Sequence, residues 1–180
     1  MLVRAFHELQ GRHHGCTGVI CSASPELAEL VRSRIKVFPT GLHMVTGMLD
    51  PTIAWADLCM VVSGTVSLDV ARHRTPMVGV YRTSLLSVLL SKVLIRTPFC
   101  LLPNIIAERE ICPEYIPHAG GVTNIVKDCT HILQDSKVGA VQSAELGRVL
   151  NRFTNKMPHE EAAKHILKAI RRDGSPTPQM

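Results

Sequence analysis

Ser63, Gly64 and Thr65 follow an apolar run, residues 58–62, and precede a helix-compatible segment that stops before Pro76, after which a second apolar run occupies 77–81. The order is strand, tight turn, helix, strand. Such a turn puts small residues and free backbone N–H groups at a helix N-terminus, where the first amides lack partners and the helix dipole is positive. The chemistry it suits is phosphate binding, and the ligand class is a phosphorylated or nucleotide-linked molecule. Taken alone, the same three residues also make an ordinary strand-to-helix turn. Asp69 stands four residues after Thr65, one turn along the same helix. Its carboxylate either accepts hydrogen bonds from a ribose diol while the turn holds phosphates, or faces solvent.

A second constellation is Leu102-Pro103-Asn104 at the end of a short apolar stretch. Asn after Pro commonly makes a turn; at a strand end beside a phosphate turn its amide also orients a sugar. Glu108, Arg109 and Glu110 follow, either as a surface charge cluster or as lining of the same cleft. His13, His14 and Cys16 lie close together, but the nine histidines form no HExxH motif, so no metal site is expected. No GxSxG elbow or Walker lysine loop is present, and no residue is assigned as catalytic.

The elements that must position these residues alternate. Helices are expected near 1–10, 24–34, 50–56, 66–73, 84–95, 122–133, 140–153 and 159–171, and strands near 15–21, 43–45, 58–62, 78–81 and 99–102. Ser24 followed by Pro25 and Glu26 is an N-cap with proline in the first turn. The expected fold class is α/β, a Rossmann-like parallel sheet with helices on both faces and with ligands beyond the carboxyl ends of the strands. Residues 1–155 form this domain, 156–173 a C-terminal helix and 174–180 a flexible Pro-rich tail.

Composition narrows the class. The 180 residues are 46% hydrophobic, enough for one domain with a real core and too apolar for general disorder. Aromatics are only 4%, with Trp55 the single tryptophan, so the core is aliphatic and stacking platforms are scarce. No nucleic-acid reading motif is present, and nucleic acid is not an expected partner. The net charge of +5 is spread out, which suits anionic small molecules or an anionic membrane. The six cysteines form no CxxC pair and several sit in apolar runs, as expected of a reducing, cytoplasmic setting. No signal peptide is expected, and no run reaches the roughly 18 apolar residues that span a bilayer. Residues 84–96, SLLSVLLSKVLIR, are apolar nearly all round. They read as a helix buried against the sheet or another domain, or as a lipid contact with Lys92 and Arg96 near headgroup phosphates.

Two strings then carry a resemblance. Residues 56–82, ADLCMVVSGTVSLDVARHRTPMVGVYR, and 94–116, LIRTPFCLLPNIIAEREICPEYI, resemble the lipid-A-disaccharide synthase family. That family's pattern is ADL-x-VSGTxxLE, then TPMVVxYR, then LPN(I/L)(I/L)AxRxxxPE, in the same order and spacing; agreement is weaker upstream, from Cys16. The resemblance implies the C-terminal, donor-nucleotide-binding half of a GT-B glycosyltransferase. Family members transfer 2,3-diacylglucosamine from its UDP derivative to 2,3-diacylglucosamine 1-phosphate, giving the β-1,6-linked lipid A disaccharide 1-phosphate. They act at the inner-membrane surface, and no metal or other cofactor is implied.

Carried over by position, Ser63, Gly64 and Thr65 would face the UDP phosphates, Asp69 the ribose, and Asn104 the donor. Tyr81, Arg82, Arg109 and Glu114 match further family positions and are expected at the substrate site. The partners implied are the UDP-sugar donor, the acylated glucosamine phosphate acceptor, and a peripheral membrane contact for which 84–95 is the candidate segment. Asp69 departs from the family's usual Glu and is one methylene shorter. The family's N-terminal half, with its acceptor site and general base, and the Gly-Ser-Arg turn that opens the C-terminal half are not in these 180 residues. The chain is therefore expected to need that half, or a second copy, and to be inactive alone. Two alternatives stay open: a degenerate, non-catalytic half that scaffolds a partner, and a GT-B transferase using UDP-N-acetylglucosamine.

Overall fold

A computed structural model describes residues 1–35, 37–62, 64–82, 98–153 and 158–172. The expected helix at 84–95, the tail at 174–180 and Ser63 lie outside the described residues. The elements are α1 (Leu2–Arg12), β1 (Gly18–Ser22), α2 (Pro25–Arg34), β2 (Leu42–Thr46), α3 (Leu49–Trp55), β3 (Cys59–Val61), α4 (Val66–Arg72), β4 (Met77–Arg82), α5 (Leu102–Ala107), β5 (Glu114–His118), α6 (Thr123–Gln134), α7 (Ser136–Asn151) and α8 (Pro158–Arg172). Local chemistry sets several boundaries. Ser24 Oγ accepts from the Leu27 N–H at 3.3 Å ahead of α2, with Pro25 in the first turn and Arg32 and Arg34 in the last. Asp135 Oδ1 accepts from the Lys137 N–H at 2.9 Å and starts α7.

All strand pairs are parallel. β1 pairs with β2 in one sheet, and β3, β4 and β5 lie side by side in a second. β4 is the central strand and its first four residues are buried, as expected of a strand covered on both faces. Val78 and Val80 pack with Ala5 and Leu9 of α1 and Ile125, Val126 and Cys129 of α6. Met77 points the other way, among Val70 and Ala71 of α4, Leu101, and Leu146 of α7. Gly79 shares that face: a Cβ there would lie 2.7 Å from the Leu101 side chain, so only glycine lets Leu101 rest on the strand. Leu101 is wholly buried, and burying a leucine contributes about 1.5–3 kcal/mol.

Three expectations are corrected. Residues 99–102 do not form a strand. Leu101 is instead the N-cap of α5, and Pro103 sits in the first turn, where a missing N–H costs nothing. The strand β5 falls in a region where only helices were expected, because Glu114, Pro117 and His118 break any apolar run there. And β1, which a sheet covered on both faces would bury, is half-buried along four of its five residues. At the far end of the chain, α8 exposes Ile166, Leu167 and Ile170 on one side.

Candidate functional site

Gly64 and Thr65 follow the carboxyl end of β3 and lead into α4. The wholly buried Ser67 donates its hydroxyl to the Gly64 carbonyl, and the Leu68 N–H donates to the Thr65 carbonyl at 3.0 Å. The carbonyls of Gly64 and Thr65 are thus drawn into the start of the helix. Thr65 is exposed, and Asp69 is half-buried in the same first turn.

The entry to α5 forms a wall of this turn. A methyl group added at Gly64 would lie 3.6 Å from the Cys100 carbonyl oxygen and 3.8 Å from Leu102 Cγ, ordinary contact distances, and the Gly64 φ is not in the positive region. Among the described residues nothing forbids a side chain at Gly64. A requirement for glycine there would come from something that approaches the backbone from outside.

Two polar side chains hold the α5 entry in place. Glu114 Oε1 accepts from the Cys100 N–H at 2.9 Å and Oε2 from the Leu101 N–H at 2.8 Å. Asn104 is wholly buried; its Oδ1 accepts from the N–H groups of Ile111 and Cys112, both at 2.9 Å, and its Nδ2 donates to the Cys112 carbonyl at 2.8 Å. In this arrangement both side chains face the protein and position α5.

Tyr81 and Arg82 close the carboxyl end of β4 and are exposed. The Met1 amino group feels the charges of Arg82 and of Arg4. The amine is held below its usual pKa, by burial first and then by the two guanidiniums.

Arg109 is not brought to this corner. α5 begins beside Gly64 and ends at Ala107, so Arg109 lies beyond its far end, where it pairs with Glu145 of α7. It lines a groove of about 600 Å³ with Ile111, His131, Lys137 and Gln142. Gln142 fixes the level of that groove at the amino ends of the strands. Its side chain accepts from the Met77 N–H at 2.7 Å and donates to the carbonyls of Met77 and Ile111, at 3.2 and 3.1 Å. The Glu108–Arg109–Glu110 run is therefore a surface cluster and does not line the cleft beside Gly64.

Buried thiols offer no nucleophile at neutral pH. Burial pushes the Cys59 thiol up to about 11, and Cys112 and Cys129 up to about 12. Among the described residues no cluster of three or more His, Cys, Asp or Glu is placed to hold a metal, and no helix is long and apolar enough to cross a membrane.

Comparison with known proteins adds a family to this geometry. Residues 1–166 match the family described as lipid-A-disaccharide synthetase. The lipid-A-disaccharide synthase of Rickettsia canadensis (strain McKiel) is 36% identical over 118 residues, 64% of this chain and 31% of the relative. That of Syntrophus aciditrophicus (strain SB) is 32% identical over 138 residues, 76% of this chain and 36% of the relative. That of Rhodopseudomonas palustris (strain HaA2) is 26% identical over 178 residues, 95% of this chain and 45% of the relative. The chain thus spans between about a third and just under half of these relatives.

Proposed function

The chain belongs to the lipid-A-disaccharide synthase family, and from that premise we propose that it is the sugar-nucleotide-binding part of a glycosyltransferase of lipid A biosynthesis. The donor is UDP-2,3-diacylglucosamine, the acceptor 2,3-diacylglucosamine 1-phosphate, and the product lipid A disaccharide 1-phosphate. The observation that carries this reading is the corner at the carboxyl ends of β3 and β4. There Gly64, which no described neighbour requires to be glycine, faces the start of α5, with the Asp69 carboxylate one turn away.

In this reading Ser63, Gly64 and Thr65 face the donor's phosphates. Arg82 balances the negative charge that UDP carries as it leaves. Asp69 accepts from the ribose hydroxyls, and Tyr81 borders the sugar. Glu114 and Asn104 act one step removed, by fixing α5 against the turn. The general base and the acceptor pocket lie on a complementary half, so the isolated chain binds donor and transfers little. Work at the inner-membrane surface, on its cytoplasmic side, suits acylated substrates and the net charge of +5.

Donor selectivity tests the proposal. Titrating the chain with UDP-2,3-diacylglucosamine and with UDP-N-acetylglucosamine should give tighter binding of the acylated donor. Equal or reversed preference would assign the site to a transferase that uses UDP-N-acetylglucosamine.

A further inference from the structure

β5 ends at the same edge of the sheet as the turn at Gly64. The register runs from Val61 of β3 to Gly79 of β4 to Glu114 of β5. Gly64 and Arg82 each stand three residues beyond that level. His118 stands four beyond it, because the ladder shifts register between Val80 and Arg82, and it is paired with Arg82. Neighbouring strands lie about 4.8 Å apart, so His118 is about 10 Å across the edge from the turn, a span that a diphosphate and one sugar ring fill.

The His118 ring is held from three sides. Its Nε2 lies 2.8 Å from the Gly121 carbonyl oxygen. The Tyr115 ring meets it edge-on, with centroids 5.4 Å apart and planes at 80°. Tyr115 is itself anchored, since its hydroxyl donates to Asp128 Oδ2 of α6 at 2.7 Å. A Cβ at Gly120 would lie 2.9 Å from His118 Cε1, so glycine at that position makes room for the ring.

These contacts fix the ring's tautomer as well as its place. A carbonyl oxygen only accepts, so Nε2 carries the hydrogen, and in the neutral ring Nδ1 keeps a lone pair. Among the described residues Nδ1 has no partner, and it is not enclosed by the fold. Bracing the 119–122 loop needs Nε2 alone and leaves Nδ1 unused. A pre-oriented acceptor is what selects a hydroxyl, because a site built to bond an O–H rejects an analogue that lacks it.

We propose that His118 is a specificity residue of the donor site, its Nδ1 accepting a hydrogen bond from a hydroxyl of the donor's sugar. The inference rests on the reading of the Gly64 turn as the donor site. A glucosamine acylated at positions 2 and 3 and linked through C1 keeps hydroxyls only at C4 and C6, so the partner is one of these.

The test measures what the sugar adds to affinity. UDP and UDP-2,3-diacylglucosamine are titrated by calorimetry into the full chain, His118→Gln and His118→Asn. Glutamine still donates to Gly121 but puts nothing where Nδ1 stood; asparagine puts its amide oxygen near that place and gives up the Gly121 bond. UDP should bind all three chains alike. The ratio of donor affinity to UDP affinity should fall about threefold to tenfold in His118→Gln, the worth of one hydrogen bond, and by less in His118→Asn. A role confined to bracing the loop gives the reverse order. The inference is overturned if His118→Gln keeps the parent's ratio, or if His118→Asn loses as much. Should either variant fail to fold by circular dichroism, 4-deoxy and 6-deoxy donors on the parent chain decide. One of them must lose the same factor, and binding of both as tight as the full donor overturns the contact. A parent that binds no UDP rejects the donor site and this contact with it; UDP binding with an unmoved ratio rejects the contact alone.

Discussion

Asn104→Ala distinguishes a side chain that positions from one that touches ligand. The substitution strips three partners at once: the N–H of Ile111, the N–H of Cys112 and the carbonyl of Cys112, all within 2.9 Å of the amide. Cys112 is wholly buried and Ile111 half-buried, so water does not fully replace what is lost. A buried polar group left unsatisfied costs about 1–3 kcal/mol. With the half-buried Ile111 amide at the low end, the sum is about 3–7 kcal/mol. Against a net stability of about 5–15 kcal/mol for an ordinary domain, that is a large loss. Urea denaturation followed by circular dichroism measures it, with UDP calorimetry in parallel. Asn104→Asp keeps an acceptor for both N–H groups but cannot donate to Cys112, and should lose less. If Asn104→Ala unfolds within about 0.5 kcal/mol of the parent, below the loss of even one such group, while UDP affinity falls tenfold, the side chain contacts nucleotide and the positioning role is refuted.

The other predictions concern groups away from the turn. Arg109→Ala should leave UDP affinity unchanged and cost less than about 1 kcal/mol of stability, as for an exposed ion pair; a tenfold loss of affinity would bring Arg109 back into the donor site. The Asp50 carboxyl is held below the ordinary aspartate value of 3.8 by the His73 hydrogen bond first and by Arg72 next. Its folded pKa is depressed, so its contribution is present above pH 3.8 and is lost as pH falls below that value. In unfolding titrations, Asp50→Asn should differ from the parent above that pH and converge with it below; a constant difference down to pH 2, about two units lower, would refute the clamp. Alkylation at pH 8 followed by mass spectrometry should modify the half-buried Cys16, Cys21 and Cys100 before the buried Cys112 and Cys129. Early loss of Cys112 or Cys129 would contradict their burial.

Much of the fold was legible because its signals are local. Ser24-Pro25-Glu26 marks a helix start on chemistry alone. The apolar runs around residues 58–62 and 77–81 separated by a turn and a Pro mark a strand–helix–strand unit, and the structure contains it. What was not legible depends on distant partners. The 99–102 stretch is apolar enough for a strand, but Glu114 takes the two amides a neighbouring strand would have bonded. Asn104 reads as a turn residue until the Ile111–Cys112 backbone folds over it. Arg109 sits close in sequence to Asn104, yet α5 carries the chain away from the turn before reaching it. The half-burial of β1 is a property of what lies beside it, which no residue of β1 encodes. Gly64 and Thr65 do fall where a motif and a strand end coincide, at the carboxyl end of β3.

The most direct measurement is calorimetric titration of UDP into the full chain and into Gly64→Ala. Saturable single-site binding by the parent, weakened at least tenfold by Gly64→Ala with an unchanged melting temperature, is the expected result, since the described neighbours leave room for the added methyl and a phosphate against the backbone would not. A folded chain that takes up no UDP at millimolar concentration, or that binds it equally well with alanine at this position, would contradict a donor site at this turn.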